Sequence, residues 1–298
     1  MNWCRCMGVA AALGVVALGT AAQADVISHG GTTIIMDFVN VGNAGNVADD
    51  TGYGAVGYNY RIGKYEVTAD QWAAVIAADS YVGNAGYWSG SQPTAGTSWT
   101  EAAKFCNWLT TGNAKEGVYN TRTWKAMDHQ EAAKKYGTAY FLPTADEWYK
   151  AAYYDPNKDG AGVGGYWDYP TMMDYPGIPD GIDFEGDTDF EAVFRDGYDQ
   201  GGPNSVYNAG VESAYGTIGQ GGNVWEWNET ITGSLRGLRG SSWYDNSSWL
   251  HASRSYYENP TTQNHLYGFR VASVPEPSSI WLILGGGLAG LCWWRRRR

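Results

Sequence analysis

Residues 221–227 read GGNVWEW, a glycine pair leading into two tryptophans with one carboxylate, Glu226, between them. Glycines ahead of a bulky segment predict a tight turn and then a short strand over Asn223–Trp227. A charge set between two tryptophans is expected inside the protein, where an unpartnered charge is very costly. Working outward, five more segments join an aromatic or aliphatic anchor to a charge. They are GKYEVT (Gly63–Thr68), SWTEAAKFCNWL (Ser98–Leu109), FLPTADEW (Phe141–Trp148), LRGSSW (Leu238–Trp243) and YGFRVAS (Tyr267–Ser273). Glu66, Glu147, Glu226 and Arg270 are the lone charges among the aromatics, and Arg270 is expected to pair with one of the three glutamates.

Three helix starts carry Ser or Thr followed three residues later by Glu or Gln: Thr68…Gln71, Ser98…Glu101 and Thr144…Glu147. The hydroxyl caps the third amide and the longer side chain reaches back to the cap, which predicts helices over 69–78, 99–110 and 145–153. Strands are expected over Thr32–Val41, Tyr58–Val67, Leu235–Trp243 and Gly268–Ala272 as well as 223–227. Between 155 and 222 periodicity stops and Gly, Asp and Pro clusters take over. Gly makes up 41 of 298 residues, about twice the usual share of ~7%, which argues against a helical bundle.

The two ends differ from the rest. Arg5, an apolar run from Gly8 to Thr20 and Ala22-Gln-Ala24 read as a secretory signal over 1–24. At the other end Pro275-Glu-Pro277-Ser-Ser279 precedes fifteen uncharged residues, Ile280–Trp294, and then Arg295–Arg298. As a helix the apolar run spans about 22 Å, short of the ~30 Å hydrocarbon core. This order of motif, short transmembrane segment and basic end resembles the PEP-CTERM sorting signal of Gram-negative bacteria. That resemblance implies transient contact with the inner membrane, an exosortase-type sorting enzyme as partner, and delivery to the cell envelope, outer surface or extracellular matrix. The expected organisation is therefore 1–24 signal, 25–274 one domain, 275–298 sorting tail.

Setting the ends aside lowers Lys+Arg from 20 to 15 and Asp+Glu from 31 to 30, so the net charge moves from −11 to −15. An acidic chain of this kind has no basic face for nucleic acid. Of four cysteines only Cys106 remains in the domain, which excludes an internal disulfide and any Cys-paired metal site. The four histidines are scattered, and Asp155-Pro-Asn157-Lys-Asp159-Gly160 imitates a calcium loop but has Tyr166 where a Glu is required. A plain turn is expected there. Eight acids crowd Asp180–Asp199, a solvated loop or a place for calcium.

Taken in order, the six segments resemble the formylglycine-generating enzyme, or sulfatase-modifying-factor, domain across most of 56–273. The resemblance implies an α+β, C-type-lectin-like fold with few helices, small antiparallel sheets, long ordered loops and chain ends close together. The family's oxidase chemistry uses copper on two cysteines, which would fall in Ser242–Arg254. That stretch holds none, and Asp245 stands about where the first would be. The expectation is thus no copper and a non-catalytic domain, the alternative being an oxidoreductase acting on protein cysteine. The resemblance also implies a structural calcium, held by the Gly222 and Val224 carbonyls and the Glu226 carboxylate, with Gly219 replacing a family Asn, and a second near Asp196. Trp243, Tyr244, Asn246, Trp249, Tyr256, Tyr257 and Asn259 lie in the segment forming the ligand face in relatives. Their chemistry suits a carbohydrate or an extracellular protein, unless the aromatics belong to the core.

Overall fold

The computed structural model describes residues 22–175, 177, 179–181, 191–195 and 201–274. Most of the expected signal, the whole sorting tail with its apolar run, Asp196 and most of the acidic loop lie outside the described residues. Among the described residues no helix is long and apolar enough to cross a membrane.

β1 (Gln23–His29) and β2 (Thr32–Val41) form an antiparallel hairpin, with Ile27 opposite Ile34. Alternation along β2 buries Ile34, Met36 and Phe38 on one face. β3 (Tyr60–Gly63) pairs with β2 and is shorter than the expected Tyr58–Val67, because the chain turns once the Gly63 amide has bonded the Val271 carbonyl. The three capping boxes form as expected and open α1 (Ala69–Ala78), α2 (Trp99–Thr111) and, further on, α4 (Ala145–Tyr153). Between the last two come α3 (His129–Tyr136) and β4 (Ala139–Phe141). The sequence reading missed α3, whose cap is Asp128 rather than Ser or Thr and accepts from the Gln130 and Glu131 amides.

β5 (Tyr154–Asp155) and β6 (Gly165–Tyr166) flank the imitation calcium loop, which is a turn in which the Asp155 carboxylate accepts from the Asn157 amide. β7 (Asp180–Gly181) and β8 (Glu191–Ala192) make a short parallel pair. β9 (Trp225–Thr232) starts two residues later than expected and runs five further. β10 (Leu235–Arg239) stops before Trp243, because Gly240 and Ser241 both take positive φ and turn the chain. β11 (Tyr256–Glu258), β12 (Tyr267–Gly268) and β13 (Ala272–Val274) complete the set.

Two sheets organise these elements. One has the order β1-β2-β3-β13-β4 and the other β11-β10-β9-β12. The expected single strand Gly268–Ala272 is split between them: the chain leaves the second sheet at Gly268 and enters the first at Ala272. Trp72 stacks on Phe105 with centroids 5.6 Å apart, and Phe269 meets both rings edge-on, so α1, α2 and the crossing segment share one core. Cys106 lies fully buried on α2 within it, a packing residue.

Candidate functional site: the aromatic face and the charges behind it

Arg270 sits where the chain crosses between the two sheets, and its side chain is wholly buried. Its Nε and Nη2 each donate to Glu226 at 2.6 Å, and the remaining N–H groups go to the carbonyls of Gly63, Lys64 and Ile218. All five guanidinium donors are thus used, which is how this charge is tolerated inside. Trp148 Nε1 donates to the same carboxylate at 2.7 Å. Of the three candidate glutamates, Arg270 pairs with Glu226.

That pairing bears on the calcium set. Both Glu226 oxygens face protein donors, so an ion held alongside the Gly222 and Val224 carbonyls would share this carboxylate with Arg270 and Trp148. Among the described residues no group of three or more His, Cys, Asp or Glu is placed to hold a metal. Gly222 has a backbone reason of its own: at φ +89° a Cβ would fall 2.0 Å from the Val193 carbonyl oxygen. Gly219 likewise leaves room for Glu66, whose Oε2 would lie 2.8 Å from an added Cβ.

The other two lone glutamates diverge. Glu66 is buried with no cation; Asn223 Nδ2 donates to Oε2 at 2.9 Å and Oε1 has no partner. Burial first, then the nearby Glu226 charge, push its pKa well above the usual carboxylate range against the pull of Arg270. Glu147 meets His129 at 3.2 Å, and Tyr58 donates to the same oxygen. His129 Nε2 lies 3.3 Å from Glu229 on its other side, an ion contact without hydrogen-bond alignment. Burial opposes charge on this imidazole most strongly, but the two carboxylates override it and raise its pKa to about 10. The sequence reading set the histidines aside as scattered; His129 and Glu229 are a hundred residues apart, and no local pattern links them.

None of the seven predicted ligand-face residues is buried. Tyr244 is 52% and Tyr256 40% exposed, while Trp243, Trp249 and Tyr257 are half-buried. Trp243 meets Trp88, Tyr244 and His265 within about 6 Å centroid to centroid, an aromatic group the sequence reading did not extend to Trp88 or His265. Trp249 and Tyr256 both flank Trp225 instead. Asn246 and Asn259 have local tasks: each carboxamide oxygen accepts from the amide two residues on, at Ser248 and Thr261. Asp245 braces the segment, accepting from Ser242 Oγ at 2.5 Å and from Trp225 Nε1 at 2.8 Å.

Comparison with known proteins agrees with this architecture. "Treponema denticola variable protein 1" superposes with a TM-score of 0.57 at 19% identity, covering 85% of this chain and 99% of that one. The crystal structure of CarF gives 0.51 at 19% identity, covering 81% and 99%. At such identity these likenesses establish the fold, which is α+β and C-type-lectin-like. No curated protein sequence matches the chain. Residues 273–297 match the PEP-CTERM protein-sorting motif, which implies an exosortase as partner, export, and a cell-surface or extracellular location. Residues 54–274 match the sulfatase-modifying factor enzyme 1-like domain, and the chain belongs to that family.

Proposed function

We propose that the exported protein is a non-catalytic binding protein whose aromatic face takes a carbohydrate or an extracellular protein. The observation that carries this reading is that Trp243, Tyr244, Trp249, Tyr256 and Tyr257 come from one segment and none of them is buried, whereas about half of the other described tryptophans and tyrosines are. Tyr244 and Tyr256 offer ring area at low entropic cost, each backed by further rings. In support of a non-catalytic role, Asp245 stands about where the family's first cysteine would be, and its Oδ2 accepts from the Ser242 hydroxyl and the Trp225 indole. Cys106, far from the surface, has its thiol pKa raised well above the usual value by burial and is a poor nucleophile.

A glycan array probed with the full chain tests the carbohydrate version, with Tyr244→Ala and Tyr256→Ala as variants. Each is expected to weaken binding about tenfold or more, as loss of a central aromatic anchor does, without moving the melting temperature. An array with no signal removes the sugar reading and leaves the protein one. Product above background in a copper-supplemented assay on a cysteine peptide would overturn the non-catalytic reading.

A further inference from the structure

A cleft of about 490 Å³ is lined by residues 115–120, 123, 125–127, 135 and 136, none of them from the aromatic face. That volume is within the roughly 300–1,000 Å³ of small-ligand sites. Its charge is unlike that of the chain around it. Five of the fifteen Lys and Arg between residues 25 and 274 fall within 115–135, and three of them, Lys115, Lys125 and Lys135, line the cleft with one acid, Glu116.

The lysines divide in a telling way. Lys64 is held by Glu212, Lys104 by the Tyr81 carbonyl, Lys134 by Glu131, Lys150 by the Asn43 carbonyl and Lys158 by Asp174. Just the three that line the cleft have no carboxylate or carbonyl partner among the described residues; Lys115 and Lys135 lie over tyrosine rings, 4.9 and 4.7 Å from the centroids. All three residues are exposed, and none of their charges is neutralised by a carboxylate among the described residues.

The wall beneath them is fixed. Trp124 holds a positive φ of 55°, unusual for a bulky residue, and Arg236 Nη2 pins its carbonyl at 2.8 Å. Gly117 lies so close to α2 that a Cβ would fall 2.5 Å from Asn107 Oδ1, and Tyr136 donates to the Gly117 carbonyl. The amides of Asn120, Trp124 and Met127 are bonded within the loop to the carbonyls of Lys125, Asn120 and Val118. An extended peptide therefore finds little backbone to pair with.

We propose that this cleft binds an anionic oligosaccharide, its acidic groups met by Lys115, Lys125 and Lys135. Lysines act as point charges and do not demand the planar fork geometry that arginine imposes, which suits acidic groups spaced along a sugar chain. The exposed Asn120 and Thr123 that also line the cleft offer polar groups to sugar hydroxyls. This site is independent of the aromatic face, and either can fail without the other.

Calorimetric titration of the full chain with trigalacturonate tests it. Replacing Lys115, Lys125 or Lys135 singly by Gln is expected to weaken binding roughly 2- to 5-fold, the reach of one exposed ion pair, and the triple variant roughly tenfold or more. Lys134→Gln, beside the cleft but paired with Glu131, should leave the affinity unchanged, and added salt should weaken it. A sulfated trisaccharide binding in place of trigalacturonate would uphold the site and assign sulfate as the anion. The proposal is overturned if no acidic sugar binds, if the triple variant binds as wild type does, if the methyl-esterified trisaccharide binds equally, or if hexaglutamate binds more tightly. All four substitutions are on exposed side chains, so loss of fold does not confuse the outcome.

Discussion

Arg270 and Glu226 close a circuit in which every guanidinium donor and both carboxylate oxygens are matched. Removing one side leaves the other charged and buried, so Arg270→Met is expected to cost about 3–5 kcal/mol in denaturant unfolding. Arg270→Met combined with Glu226→Met should recover part of that loss; a wild-type midpoint for the single variant would refute the argument. His129 gives a second test at this scale. Its folded pKa of about 10 exceeds the unfolded value near 6.5, so its contribution is complete below about pH 6.5 and is lost as pH rises through 10. Unfolding free energy should fall across that window in the wild type, and His129→Asn should flatten the fall. The facing tyrosines, Tyr58 and Tyr119, have pKa values raised by burial and stay protonated throughout it. The Arg270 pair was legible from sequence because a lone charge beside tryptophans has few ways to survive burial. The choice of Glu226 over Glu66 and Glu147 was not, since it depends on which strand the crossing segment lies beside.

The helices were the most legible elements, because a capping box is a local contract between residues three apart. Thr68, Ser98 and Thr144 each accept from the third amide while Gln71, Glu101 and Glu147 reach back to the cap. Thr144→Ala is expected to cost about 1 kcal/mol through the cap alone. It should cost more than Thr68→Ala if releasing Glu147 also loosens its contact with His129, a difference that thermal unfolding of the two variants would measure. Strand ends were less legible, for a physical reason visible at β10. The run LRGLRGSSW reads as continuous, yet Gly240 and Ser241 take positive φ, a backbone choice dictated by the Gly222 amide bonding the Gly240 carbonyl. Gly222→Ala tests how strictly this is imposed. With its Cβ driven onto the Val193 carbonyl oxygen, the variant is expected to lose more stability than a positive-φ strain of about 1–3 kcal/mol would give. The candidate ligand face was legible as a segment but not as a surface, because Trp88 and His265, which complete its aromatic group, come from elsewhere in the chain.

At the scale of the whole molecule the two ends of the described chain meet in one sheet. β1 and β13 are separated by β2 and β3, and since each neighbouring pair is antiparallel, the start of β1 and the end of β13 face the same end of the sheet. Three strand spacings across the sheet, with an offset of three residues along it, put Gln23 and Val274 roughly 18 Å apart. β13 is an inner strand: Ala272 and Ser273 pair with β3 on one side and β4 on the other, and Ser273 Oγ accepts from Arg61. The match to the sorting motif, however, begins at Ser273 and so overlaps this strand by two residues. Processing that removed the motif from its first residue would take out the middle of the sheet. A chain ending at Val274 is therefore expected to unfold within about 2–4 °C of the full chain, a shift worth roughly 1 kcal/mol in a domain of this size. One ending at Val271 loses the ladders to both neighbours and the buried Ala272, and should show no cooperative transition at all. If the Val271 chain melts like the full one, β13 is dispensable and the sheet order does not govern stability. If it does not, mass spectrometry of the exported protein should find its C-terminus at or beyond Val274, because the sorting machinery must cut outside the strand that the fold requires.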